Sequence, residues 1–419
     1  MLDSLKNALK VGELKNKLLF TLAILLVFRI AAHIPVPGVD ASMFEQLAND
    51  NALLGFFDVI SGGAFANVSV VAMGIFPYIN ASIIMQLLTV VIPRLEQLSK
   101  EGEEGKKKIT QYTRYFTAVI AFVQAIGLSV YMRGALANPS IYTYAAVAIT
   151  LTAGTVFLMW LGEQITEKGI GNGISLIIFA GIVSRIPSAL VNLYTLLTAG
   201  TINVLSIVLL VVIALVVIAG IVVVQQGQRR IPVQYAKRVV GRRVYGGQTT
   251  HLPIKVNQAG VIPVIFASSL LMFPQQLIQW FTSPGVSEWY TKYMGFGTVP
   301  NSFVYALLII GFTYFYTAVI MNPVDMADNI KRNGGFIPGI RPGRPTAEFI
   351  SRVLSRITMA GAIFLALIAI LPNFVLAITQ IPGMWFGGTS LLIVVGVALD
   401  TMKQIESQLL MRSYQGFIK

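Results

Sequence analysis

The sequence predicts an all-α polytopic membrane protein: ten transmembrane helices in two inverted five-helix halves, with both chain ends in the cytoplasm. Three observations predict it. Of 419 residues, 55% are hydrophobic and 12% charged, about half the charged share of a soluble domain. Mean hydropathy is +0.73. Ten runs are long and apolar enough to cross a bilayer, which takes roughly 20 residues. Positive charge is also segregated: all but four of the 31 Lys and Arg fall on one side of those runs. Cytoplasmic loops are the ones enriched in Lys and Arg.

The runs cover 18–34, 68–92, 112–132, 143–162, 174–195, 204–226, 257–281, 301–321, 348–378 and 386–410. The second and fifth are weakened by Gly, Asn, Ser and Gln. The ninth and tenth are long enough to project beyond the bilayer. The start, "MLDSLKNALKVGELKNK", is amphipathic and lacks the short apolar stretch and cleavage site of a signal peptide. The exceptions to the charge segregation are Arg133, Arg185 and Lys292 on the far side and Arg29 inside the first run. Ten spans with both ends inside divide as 1–200 and 201–419. A five-span half enters from one side and leaves from the other, so two halves sharing a fold are inverted repeats. No residue-level repeat is visible.

Several chemistries are excluded. The chain has no Cys, hence no disulfide or thiolate metal site. His33 and His251 are far apart, which argues against zinc. No GxxxxGK[ST] loop is present, and no Ser/His/Asp set is legible. The reading is a non-enzyme without cofactor. Ionisable groups within spans usually mark ion pathways, and this chain has very few: Arg29 lies near the outer end of the first span, and Glu163 and Asp400 toward the cytoplasmic ends of the fourth and tenth.

The second and seventh runs begin alike. Each carries a Gly and then a Pro three residues on, Gly74/Pro77 and Gly260/Pro263, followed by small residues. Pro removes a helix hydrogen bond, and small residues let backbones approach. Ordinary packing explains this, and so does a pair of helices that part. The connection "NALLGFFDVISGGAFANVSVV", 51–71, is apolar but broken by Gly55, Gly62 and Gly63. It reads either as a re-entrant element buried against protein or as an outer interfacial helix. Two connections, 227–255 and 322–346, are strongly basic. Residues 228–244 alone hold six cations and no acid. Topogenesis, contact with anionic lipid and docking of an anionic partner all fit them.

The segments "AMGIFPYINASIIMQLL" and "LGEQITEKGIGNGISLIIFAGI" closely resemble the signature segments of the SecY family of bacterial protein-translocation channels. "GQRRIPVQYAKR", "THLPIKVNQAGVIPVIFASSLL", "NPVDMADN", "GFIPGIRPG" and "FGGTSLLIVVGVALD" are similar as well, so the resemblance runs from the first span to the tail. It implies an hourglass pore between the halves, waisted by a ring of Ile79, Ile83, Ile174, Ile178, Ile265 and Ile393. An apolar constriction offers a passing chain no hydrogen bonds and resists ions by dewetting. The resemblance makes 51–71 a plug, with Gly55, Phe56, Phe57, Ile60, Gly62 and Gly63. It makes spans two and three against seven and eight a lateral gate, with Gln86, Gln124, Gly74, Pro77, Gly260 and Pro263. Arg242, Arg243 and Arg341 match the family's docking arginines. Implied partners are the small subunits SecE and SecG, the SecA ATPase, the ribosome, signal peptides and nascent polypeptides, and the lipid bilayer. The implied location is a bacterial plasma membrane. A secondary transporter of a small solute is the competing reading, and it requires polar groups at the midplane.

Overall fold

The computed structural model describes residues 11–40, 52–136, 138–235, 238–240, 243–245, 249–281, 284–295, 297–379 and 388–416. In chain order the helices are α1 (Gly12–Ala31), α2 (Ala52–Ser61), α3 (Phe76–Val91), α4 (Pro93–Lys100), α5 (Glu103–Tyr131), α6 (Ile141–Lys168), α7 (Gly173–Thr198) and α8 (Val204–Gln226). Strands β1 (Gln228–Tyr235), β2 (Arg238–Val240), β3 (Arg243–Tyr245) and β4 (Thr249–Lys255) follow. The remainder comprises α9 (Ile262–Phe281), α10 (Pro284–Met294), α11 (Val299–Ile320), α12 (Pro323–Arg332), β5 (Gly335–Phe336), α13 (Arg344–Thr379) and α14 (Gly388–Gly416).

Each of the ten apolar runs is met by one helix: α1, α3, α5, α6, α7, α8, α9, α11, α13 and α14. Among the described residues six of these, α5, α6, α7, α8, α11 and α13, are long and apolar enough to cross a membrane unaided. A seventh is added if α3 and α4, bent by 98° to one another, form one span. In α1 the cations Lys15, Lys17 and Arg29 interrupt the apolar face. At 36 residues α13 is about 54 Å long, well beyond the ~30 Å of hydrocarbon. The helix α8 has a mean hydropathy of 3.7, with only 11% of that window buried. Its Val, Ile and Leu therefore face outward along most of its length. In lipid a helix is stable in that position because it satisfies its own backbone.

Two helices start later than their composition predicts, α3 at Phe76 rather than 68 and α9 at Ile262 rather than 257. The cause is local. Gly74 and Gly260 lie in the left-handed region, at φ +58° and +63°, which a helix cannot pass through. Pro77 and Pro263 are then the second residues of their helices. There the missing N–H costs nothing, because the first turn has no acceptor for it. The expectation that these prolines break helix interiors is thus corrected: they start helices.

The all-α expectation is also corrected. In the 227–255 connection β1 and β4 pair antiparallel from Gln228↔Lys255 to Gln234↔Thr249, and β2 pairs with β3. β5 adds to the other edge of β1 through Gln234↔Phe336 and Tyr235↔Gly335. The sheet order is β4-β1-β5. The alternation in "RIPVQY" buries Ile231 and Val233 and exposes their neighbours, as a half-buried strand requires. These two join Ile254, Ile330, Ile337, Ile350 and Leu354 in a small core of their own. The two basic connections are therefore one folded platform, built from both loops and the first turns of α13.

The main core lies between the halves. α9 packs against both α3 and α5, α8 packs on α14, and α14 also meets α7. α5 and α6 form a long pair, tied at one end by Arg114 Nε to Glu163 Oε1 at 2.8 Å. Glu163 is thus a packing partner.

Candidate functional site

Most of the described side chains of residues 55–71 are inside the molecule. After the ten residues of α2, the chain turns at Gly62 and Gly63, whose φ values are +71° and +89°. It returns through residues 64–75 as a series of turns. Phe57, Val59, Ile60, Ala64 and Phe65 are buried. Gly62 is buried and Gly55 half-buried. The side chain of Phe56 and residue 51 lie outside the described residues. The Phe57 ring meets Phe76, at the start of α3, edge-on at 4.5 Å and stacks on Phe65 at 5.8 Å. Gly62 approaches α7 so closely that a Cβ there would stand 2.8 Å from the Gly181 Cα.

Polar contacts fix the same segment. Arg29 Nη1, at the end of α1, donates to the Gly62 carbonyl at 2.6 Å and to Ser184 Oγ at 2.9 Å. Asp58 is buried. One carboxylate oxygen pairs with Arg185 of α7, and the other accepts from the Ala66 N–H at 2.8 Å. An ionised carboxylate in an apolar setting needs such partners. Asp58 and Arg185 are the residues that the sequence reading missed as a site. The signal was present, a lone acid in "LLGFFDVIS", but its partner is far away in sequence.

Five of the six aliphatic candidates are buried in one cluster. Ile79 and Ile83 from α3, Ile178 from α7, Ile265 from α9 and Ile393 from α14 are all under a tenth exposed and share one apolar cluster. Phe57, Val59, Ile60 and Phe65 belong to the same cluster. Ile174 packs at its margin, with its Cδ1 seated over Gly162 of α6. Helical spacing places 79 with 83 and 174 with 178 on one face each.

The seam between halves is α9 against α3 and α5, with α11 backing α9 through Phe266 on Phe312 and Tyr316. Gln124 of α5 donates to Gln276 Oε1 of α9 across it at 3.4 Å. Gln86 does not cross: its amide faces Ser82 of its own helix at 3.5 Å. Gln276 was not anticipated. Among the described residues Ser269 Oγ and Gln275 Oε1 of α9 are buried without a hydrogen-bond partner, so α9 is less well satisfied than an ordinary buried helix.

Of the three arginines expected to dock a partner, Arg341 is exposed, and its carbonyl accepts from Thr346 Oγ1 at 2.9 Å. Arg243 opens β3 opposite Val240, with its side chain outside the described residues. Arg242 lies outside them altogether.

Comparison with known proteins agrees with this geometry. The SecY family model matches residues 69–402. The protein translocase subunit SecY of Halalkalibacterium halodurans is 52% identical over 431 residues, covering 100% of both chains. A solved SecY structure, whose plug domain stabilises the closed state of its translocation channel and maintains a membrane seal, superposes with a TM-score of 0.67. It has 22% identity and covers 93% of this chain and 91% of that one. Canine Sec61 from a ribosome–channel complex of the endoplasmic reticulum gives a TM-score of 0.62 at 19% identity, with the same coverages. At these identities the two structures speak for the fold.

Proposed function

The chain belongs to the SecY family, and from that premise we propose that it is the pore-forming subunit of a bacterial protein-conducting channel. It passes unfolded secretory polypeptides across the plasma membrane and releases membrane helices sideways into lipid. The carrying observation is that aliphatic side chains from four helices, α3, α7, α9 and α14, are buried in one apolar cluster with Phe57, Val59, Ile60 and Phe65 of the 52–71 segment. In this reading those side chains are the waist of an hourglass pore. The six isoleucines form its ring, with Ile174 at the edge, and 52–71 is the plug that fills it from the outer side. Dry, apolar walls resist ions and offer a moving chain nothing to bind.

All ten long helices then span the bilayer in two inverted halves, 1–200 and 201–419, with both chain ends cytoplasmic. The shared Gly-x-x-Pro start of α3 and α9 supports that pairing, and the segregation of Lys and Arg supports the orientation. The seam of α9 against α3 and α5, with α11 behind it, is the lateral gate. The long amide bridge between Gln124 and Gln276 suits a contact that must part, since hydrogen bonds between membrane helices average only about 0.6 kcal/mol.

The platform of 228–255 and 322–346 faces the cytoplasm and docks the partner that supplies energy, a ribosome or the SecA ATPase. Arg242, Arg243 and Arg341 are its grips, because a guanidinium binds phosphate or carboxylate in two-pronged fashion. The small subunits SecE and SecG complete the complex, and the bare face of α8 is open to such a partner or to lipid. The small-solute transporter reading is not carried further, because the relatives are translocase subunits.

The test is a reconstituted complex with deletion of residues 57–67. Translocation should survive while the resting channel leaks ions. A tight resting state after deletion would show that this segment is not the seal.

A further inference from the structure

The plug segment is attached to its surroundings by charge as well as by apolar packing. We propose that Asp58, Arg185 and Arg29 form a latch that holds the plug seated and sets how readily the resting channel opens. The proposal rests on the plug reading above.

The Asp58 side chain is 4% exposed and that of Arg185 33%. The carboxylate is therefore the buried member and the guanidinium reaches it from the margin. One oxygen pairs with Arg185 and ties α2 to α7. The other accepts from Ala66 N at 2.8 Å and closes the Gly62–Gly63 turn. The same carboxylate thus shapes the plug and fastens it. On the opposite flank Arg29 brackets the turn, donating to Gly62 O and to Ser184 Oγ. Ser184 in turn donates to Gly181 O at 2.7 Å. Separating a buried charge pair leaves each charge uncompensated, so each partner resists release until both are rehydrated.

The position of the latch matters as much as its strength. Arg29 is on α1 and Arg185 on α7, both in the N-terminal half. The seam runs between α3 and α5 on one side and α9 on the other. The contacts of Arg29 with Gly62 and Ser184, and of Asp58 with Arg185 and Ala66, all lie on the N-terminal side of the seam, so the gate can begin to part with the plug still fastened. Unseating the plug is then a separate step with its own threshold.

The experiment uses the full chain with its co-purified membrane subunits in planar bilayers, without motor or substrate. Resting conductance is read for Asp58→Asn, Arg185→Gln, the double variant, Arg185→Lys and the deletion of 57–67. Each neutral single variant should raise the resting open probability about tenfold, equivalent to ~1.4 kcal/mol. The double variant should leak no more than the worse single one, because the two residues act as one unit. Arg185→Lys keeps the charge and should stay within about threefold of the parent. A purely structural role would lower thermal stability in all of these variants alike and leave Arg185→Lys no better than Arg185→Gln. If the deletion leaks while both neutral variants remain tight, or if their effects multiply in the double variant, the latch is wrong. If the deletion itself stays tight, the plug reading falls and the latch falls with it.

Discussion

Replacing Gly62 with alanine should unseat the plug, and the structure gives the size of the effect. The backbone at Gly62 has φ +71°, where a side chain costs about 1–2 kcal/mol. The added Cβ would also stand 2.8 Å from Gly181 Cα and 2.9 Å from both Arg29 Nη1 and Ser184 Oγ. Carbon contacts settle at roughly 3.5–4.0 Å, so the plug must retreat by the better part of an ångström. Arg29 and Ser184 can swing aside, but the Gly181 backbone cannot. Overpacking of this kind costs about 1–3 kcal/mol. Allowing for relaxation, the combined cost is about 2–3 kcal/mol, or about a 30- to 150-fold shift toward the unseated state. The neighbouring Gly63 is the control. It too has a left-handed φ, +89°, but its Cβ would meet nothing nearer than Arg185 Nη1 at 3.4 Å. Gly63→Ala therefore carries the backbone strain alone, about 1–2 kcal/mol. Single-channel recording of the resting complex reads both. If Gly62→Ala leaks no more than Gly63→Ala, the close approach to α7 is not what seats the plug.

Further tests follow from other parts of the molecule. Replacing Ile83 and Ile178 together with Gly removes two side chains that are each 2% exposed, and should raise resting conductance because a wider waist rewets. An unchanged conductance would place the constriction elsewhere. Arg341→Glu should abolish docking of the cytoplasmic partner while membrane topology is kept, and Arg341→Lys should be partly defective, since a point charge cannot replace the planar fork. Normal partner affinity for Arg341→Glu in a binding assay would leave that arginine only a role in orienting the chain. Gln124→Leu with Gln276→Leu should alter signal-peptide-triggered opening by no more than about threefold, given ~0.6 kcal/mol for such a bridge. A tenfold change in export of a reporter would mean that the seam depends on it far more than its 3.4 Å length suggests.

The helices were legible because lipid demands a composition, and composition is in the sequence. Their starts were less so. Nothing in "AMGIFP" or "QAGVIP" says that the glycine turns left-handed, so α3 and α9 were begun too early and their prolines read as interior breaks. The sheet was masked differently. "RIPVQY" alternates with period two, but its arginine and its proline read as an exposed loop, and β5 is only two residues long. The isoleucine ring could not have been picked from composition, as isoleucine is common in every span. Only the wording of the flanking motifs singled out those positions. The charge pair at the plug is hidden by distance: in sequence Arg185 is one of three cations assigned to the far side, and Asp58 one acid among apolar neighbours. What joins them is a chain reversal that no local pattern announces.

The shared sheet of the two basic connections carries a consequence for avidity. β1 lies between β4 and β5, so the strands that lead to Arg243 and the segment that leads to Arg341 are joined at their base by backbone hydrogen bonds and a common apolar core. A partner that has gripped one of them meets the other at an effective concentration set by geometry, with little chain entropy left to lose. Two weak contacts then act as one strong one, and both are lost together when the platform is disrupted. Cutting the β1–β5 pairing would therefore weaken partner binding even though it removes no cation.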